Sequence, residues 1–424
     1  MKNSIIFLFL IALLALLPAC QSAPASGGKI SFMVFGEPAE LAAYQRLVDT
    51  FQQEHPEIQV EVIQVPGQSD YRKRMAADIA AGSPADVVLV NYRRQAAFAS
   101  AGALTPLDDY LAKSTTLKEA DFYPQSFAAF KWDGKQVCIP QNISSLVIYY
   151  NKALFDQAGV AYPAPGWTWA DFLSAAQALT KDLNGDGTNE QFGAGIDPEL
   201  IRIAPFVWQA GSDLVDDDAN PTTLMLDTSE ALDAGKFFME LQTAHHVVPN
   251  AEQEAAEASE SRFLNGRTAM YFNSRRVVPT IREAAKFDWD VAALPQEKTA
   301  ATILHADGYC LPSASKNKDA AWVFIEFANS AEGQTILAQT GRTVPSLISI
   351  AESPVFLDPS NKPAHSQVFL DVIPTMRVLP LHPAWADIED TATQEITRGF
   401  YGETDPYDAM LRAVQRTRDY FTGK

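Results

Sequence analysis

Asp182, Asn184 and Asp186 occupy alternate positions of the stretch DLNGDGTNE, and Gly187 follows directly. Oxygen-bearing side chains at positions 1, 3 and 5 of a loop, with glycine at 6, have the spacing that wraps a hard cation such as calcium. Position 12 should bring a bidentate glutamate. Here it is Gly193, so the loop reads either as an incomplete calcium site or as a tight turn rich in Asx and glycine. The chain has no G-x-S-x-G, no H-E-x-x-H and no P-loop pattern. His245-His246 lacks the spacing of a metal-binding pair and reads as a helix end. A glycoside-cleaving carboxylate pair must sit about 5–10 Å apart across a cleft. Among 52 acidic residues some such pair can always be imagined, so acidity alone says nothing about hydrolysis.

Three cysteines carry the remaining reactive chemistry. Lys2 precedes an unbroken apolar run from Ile5 to Leu17, and Ala19 puts a small side chain before Cys20. A basic residue, a short apolar run and a small-residue cleavage point form an export signal; a membrane-spanning helix needs about 20 apolar residues. Leu17-Pro18-Ala19-Cys20 resembles the lipobox of bacterial lipoproteins, where cleavage leaves the cysteine as an acylated N-terminus. Cys20 is thus expected to be the lipid anchor, and Ser22 to Gly28 a flexible tether that buries nothing. An ordinary secretory signal is the alternative. Cys138 and Cys310 are then an even remainder in an exported chain, which suggests a disulfide, with two separate buried thiols as the other possibility.

With 424 residues the chain exceeds one typical core, so two domains are expected. A net charge of −19 and the lack of a basic stripe exclude nucleic acid as a partner. Segments of alternating type must build the scaffold. "KISFMVF" (Lys29 to Phe35), "IQVEVIQV" (Ile58 to Val65) and "ADVVLVN" (Ala85 to Asn91) read as strands. Between them, Leu41, Tyr44, Leu47, Val48 and Phe51 form one helical stripe, and Met75 and Ile79 belong to another. This is the grammar of a parallel α/β layer. It restarts with a strand in "SLVIYYN", helices over Lys152 to Ala158 and Trp169 to Thr180, and a strand at Thr268 to Asn273. "FDWDVAALP" precedes a strand at "GYCLP", Asp319 to Asn329 is helical, and Asp405-Pro406 opens a last helix.

These segments resemble the family 1 extracellular solute-binding proteins, the sugar-capturing components of bacterial ABC importers. The carriers include "GSPADVVLVN", "GALTPLDDYL", "IPQNISSLVIYYNKALFDQAGV", "GWTWADFLSAAQALT", "DLNGDGTNEQFG", "FLNGRTAMYF", "DWDVAALP" and "SKNKDAAWVFIEFANSAEGQ", in the family's order over nearly all of the chain after Cys20. The resemblance implies a two-lobed α/β fold of the type II periplasmic-binding-protein kind, closing on a sugar about a multi-strand hinge. It divides the chain into a signal (1–19), a tether (20–28), the first lobe (29–139), the second lobe (140–307), a return to the first (308–355) and a C-terminal segment completing the second (356–424). It also lays the crossing segments around "VCIPQN" and "GYCLPS" side by side, which favours a Cys138–Cys310 disulfide. The implied partners are a sugar or oligosaccharide, an ABC permease and, through the anchor, the outer face of the cytoplasmic membrane. No cofactor is expected, and a monomer is.

In two-lobed α/β proteins, ligands meet the carboxyl ends of strands. That rule selects Glu37, Asn91, Tyr92, Asn142, Asn273, Arg275, Asp307 and Tyr309. The resemblance adds Tyr71 and Trp208, and Arg377 is a candidate to reach the cleft from the C-terminal segment. Each also has a plainer role: Glu37 as a helix cap, Asn91 and Asn273 as strand-end partners, Trp208 as core, Tyr309 as a hinge brace, Tyr71 as a surface residue and Arg377 as an ion pair. Trp167 and Trp169 are assigned to packing. Where many members of the family have an aromatic turn, this chain has Asn273-Ser274-Arg275-Arg276, so a ligand with an acidic group is open. Two rival readings remain, a binding protein for a polyamine, amino acid or metal, and an exported polysaccharide-acting enzyme.

Overall fold

The computed structural model describes residues 28–36 and 38–422. The first sheet has five strands in the order Ile58–Val65, Gly28–Phe35, Val87–Asn91, Asp307–Cys310, Cys138–Pro140. The first three are parallel, while Asp307–Cys310 runs antiparallel to both its neighbours. Helices Pro38–Glu54 and Gln68–Ala80 make the crossovers. Side-chain alternation along these strands feeds two cores. Phe32, Val34, Val87, Leu89 and Tyr309 join one, with Leu47, Phe51 and Phe324. Met33, Val88, Val90, Cys138 and Cys310 face the other. A strand buried on both faces must be apolar throughout, which is why "VVLV" has no polar interruption.

The second sheet has the order Trp289–Ala292, Val147–Asn151, Thr268–Asn273, Phe192–Gly195. Helix Trp169–Leu179 lies on it, opened by a capping box between Thr168 and Asp171. At Gly193 the helix backbone is so close that a Cβ would stand 2.1 Å from the Ala176 carbonyl oxygen. Packing thus forces glycine at the twelfth position of the acidic loop. Trp289–Ala292, within the "FDWDVAALP" segment, is itself a strand.

Between the two sheets lies a small hinge sheet. Ser144–Ser145 pairs antiparallel with Leu304 and His305, and Met376–Arg377 pairs parallel with Thr302 and Ile303. The chain therefore crosses between lobes through Cys138–Pro140 and Ser144–Ser145, and returns through Thr302–His305 and Asp307–Cys310. Cys138 and Cys310 are register partners on these crossings and form a disulfide. The C-terminal helices Trp385–Phe400 and Pro406–Thr422 pack on each other and on Ser229–Thr243 of the second lobe. Among the described residues no helix is long and apolar enough to cross a membrane.

Candidate functional site

On the first lobe the carboxyl end of Val87–Asn91 leads directly into helix Tyr92–Ser100, whose first turn is capped by Asn91 Oδ1 accepting from Arg93 N at 3.3 Å. The Asn91 amide donates to Asp307 Oδ1 at 3.0 Å. Burial raises the Asp307 carboxyl, and the bond from Asn91 opposes that. Beside this strand end, Phe35, Tyr71, Arg72, Asn91, Arg93 and Arg94 line a concavity. Arg93 and Arg94 both donate to Oε1 of Glu389, on helix Trp385–Phe400, so one buried carboxylate links the rim of the first lobe to a helix packed on the second.

On the second lobe, Asn273 ends its strand fully buried, donating to the Tyr271 hydroxyl at 2.5 Å and accepting from Ser274 N and Arg276 Nε. Arg202, at the start of helix Leu200–Gln209, is 4 % exposed. It reaches Asp197 at 3.6 Å and Glu199 at 3.9 Å, and its Nε and Nη1 have no hydrogen-bond partner among the described residues. The same holds for His305 Nε2, Arg94 Nη1, and the hydroxyls of Ser144 and Ser145 on the hinge. Burial pushes the His305 imidazole well below its ordinary range, and Arg202, Arg93 and Arg276 push it further.

Several sequence-selected residues are occupied elsewhere. The Tyr71 hydroxyl, expected at the surface or at a ligand, is buried, donating to Met33 O and Leu89 O and accepting from Leu89 N. The Tyr92 hydroxyl is buried and accepts from Leu379 N. The Tyr309 hydroxyl accepts from Gln141 Nε2 at 2.9 Å inside the first lobe's core. Asn142 Oδ1 accepts from Asp307 N at 2.7 Å and so fastens the two crossings.

Arg275 needs correction as a cleft residue. It is 1 % exposed, its guanidinium lies 4.5 Å and 4.8 Å from the Phe356 and Phe369 ring centroids, and it donates to Gly341 O and Ser366 Oγ. Burial pushes its pKa down to about 10. The exposed neighbour Arg276 instead donates from Nε to Asn273 Oδ1, and its charge acts on His305. Trp208 is buried under the Arg377 guanidinium at 5.1 Å, and Arg377 pairs with Asp213 and Asp218 at 2.8 and 3.7 Å. Glu37 and Cys20 lie outside the described residues.

In the acidic loop the carboxylate that approaches Asp182 and Asp186 is Glu190, and oxygens of the three lie within 4.8 Å of one another. Asn184 turns its amide nitrogen, not its oxygen, toward Asp186 and Glu190, while Asp182 accepts from Gly185 N and Gly187 N. The loop thus closes on its own hydrogen bonds as an Asx turn.

Two α/β lobes joined by paired crossing strands, with polar rims facing at the strand ends, define a two-lobed solute-binding protein. The chain belongs to the bacterial extracellular solute-binding protein family, whose model matches residues 36–335. It is 26% identical over 418 residues to a putative binding protein of Brucella abortus, covering 97% of each chain. It is 24% identical over 313 residues to the maltotriose-binding protein of Pyrococcus abyssi, covering 72% of this chain and 64% of that one. An ABC substrate-binding protein of Listeria monocytogenes, solved in complex with cycloalternan, superposes with a TM-score of 0.85 at 26% identity, covering 93% of this chain and 99% of the other.

Proposed function

We propose that this protein captures a carbohydrate outside the cytoplasm and hands it to an ABC-type permease, with its two lobes closing on the ligand. The observation that carries the reading is the pair of rims: donors without hydrogen-bond partners at Arg94, Arg202, His305, Ser144 and Ser145 come from both lobes and the hinge. A ligand that bonds to both sides at once binds the closed arrangement better than the open one, and only that difference can drive closure. The relatives whose names state a saccharide support the ligand class. The tether after Cys20, acylated at that residue, would hold the protein at the outer face of the membrane beside its permease, since lipid chains in combination anchor stably.

Isothermal calorimetry against a panel of neutral oligosaccharides, with turnover assayed in parallel, tests the reading. Saturable heat without product formation is expected. Product formation would favour the enzyme reading, and saturable heat only with amino acids, polyamines or metal ions would favour a non-sugar solute. Intact mass of the membrane-extracted protein tests the anchor, a diacylglyceryl addition at Cys20 being the expected result.

A further inference from the structure

Arginines converge on the cleft from both sides. Arg72, Arg93 and Arg94 line the first lobe's concavity. Arg276 and Arg202 come from the second lobe, where Arg276 Nε donates to Asn273 Oδ1 at the strand end, and their charges, with that of Arg93, act on His305 of the hinge strand. Two of the five, Arg72 on one side and Arg276 on the other, are exposed and have no carboxylate in ion-pair range among the described residues. Arg202 is nearly sealed from solvent yet leaves Nε and Nη1 unbonded. Asp197 and Glu199 stand in ion-pair range of it at 3.6 and 3.9 Å, but neither gives Nε or Nη1 a hydrogen bond. A sealed N–H left without an acceptor costs free energy and marks a place where a ligand can supply one.

The sign of what is missing can be read from the open atoms. Arginine N–H groups only donate, and serine hydroxyls can. The sealed acceptor of this group that stays unbonded is Glu389 Oε2. Asp307 already accepts from Asn91, and Glu389 Oε1 accepts from Arg93 and Arg94. A neutral sugar's hydroxyls accept as well as donate, and each brings a proton that needs an acceptor of its own. An oxyanion brings acceptors alone, several to a group, in the geometry that guanidinium forks match. The body's −19 charge repels such a ligand at long range, so the local arginines must decide. His305, kept neutral by its surroundings, can donate from Nε2 in one tautomer.

We infer that the cleft is built for a small sugar or polyol carrying an oxyanion, a phosphate or a carboxylate, held between Arg72, Arg93 and Arg94 of the first lobe and Arg202 and Arg276 of the second. This rests on the solute-binding reading above and narrows its ligand. Calorimetry with glycerol 3-phosphate and glucuronate, set against glycerol, glucose and maltotriose, tests it. At least one oxyanion probe should bind about tenfold or more tightly than its neutral counterpart, and weaken as salt rises. The better of the two tells phosphate from carboxylate. Arg202→Gln should remove most of the preference. Because Arg202 is buried and its loss can disturb folding, Arg276→Gln, at an exposed position, provides the second variant and should lower oxyanion affinity several-fold with an unchanged melting temperature. Maltotriose binding with oxyanion probes no better than neutral ones would overturn this inference and leave carbohydrate binding standing. Oxyanion binding indifferent to both variants would overturn the site. Heat from none of the probes would overturn both.

Discussion

Cys138 and Cys310 stand opposite each other, 4.3 Å apart at Cα, on the antiparallel strands by which the chain leaves the first lobe and returns to it. The bond closes a loop of 172 residues that contains the second sheet, so its main effect falls on the unfolded chain. In the entropic account it contributes about 5 kcal/mol. The double variant Cys138→Ser/Cys310→Ser should lose most of that in chemical denaturation. Ligand affinity should stay within about threefold, because backbone bonds between the crossings hold the hinge register. Unchanged stability would show that the loop is constrained by other means.

Glu389 joins Arg93 and Arg94 across the lobes. Glu389→Gln keeps an accepting oxygen at this place but removes the negative charge that the two guanidinium groups share across the lobes. Charged hydrogen bonds of this kind contribute about 1.5–3 kcal/mol. Glu389→Gln should therefore weaken ligand binding by about tenfold or more and enlarge the radius of gyration of the free protein. A lowered melting temperature with unaltered affinity would place the effect within one lobe instead.

The Tyr71 hydroxyl makes three backbone hydrogen bonds that tie strands Gly28–Phe35 and Val87–Asn91 to helix Gln68–Ala80. Tyr71→Phe leaves the Leu89 N–H without its acceptor inside the core, at a cost of about 1–3 kcal/mol. Denaturation should show this loss while calorimetry shows no change in affinity. A fall in affinity without loss of stability would put the hydroxyl in the cleft.

His305 supplies a pH dependence. In the folded protein its imidazole stays neutral where the unfolded chain, titrating near about 6.5, takes up a proton. The unfolded state then binds more protons as pH falls below that value, so stability declines toward acid. His382, lowered by burial, acts in the same direction. Asp307, raised by burial, acts oppositely nearer the carboxylate range, so the informative window is about pH 6.5 to 5.5. His305→Asn should lose less stability than the wild type across it. Equal losses would contradict the assignment.

Much of the scaffold is legible from local pattern. Lys152–Ala158 and Thr268–Asn273 appear at the expected bounds because strong local signals end them; Asn151 caps the helix and Gly159 takes a positive φ of 66°. Helix Leu200–Gln209 gives no such signal. It is buried along its whole length, so it lacks a polar face, and Pro205 inside it reads as a break. The site was legible only in outline. The strand-end rule finds the right loops but not which side chain turns inward. After Asn273 the chain enters a short 3-10 turn, Arg275–Val277, which sends Arg275 between two phenylalanine rings and leaves Arg276 exposed, its charge acting on His305. Arg202, His305 and Glu389 come from three distant elements, and nothing local marks their convergence.

Small-angle scattering of the protein with and without saturating glycerol 3-phosphate, glucuronate or maltotriose tests lobe closure most directly. The account predicts a smaller radius of gyration with at least one of these probes, together with saturable heat from the same probe. A profile that every probe leaves unchanged would contradict it.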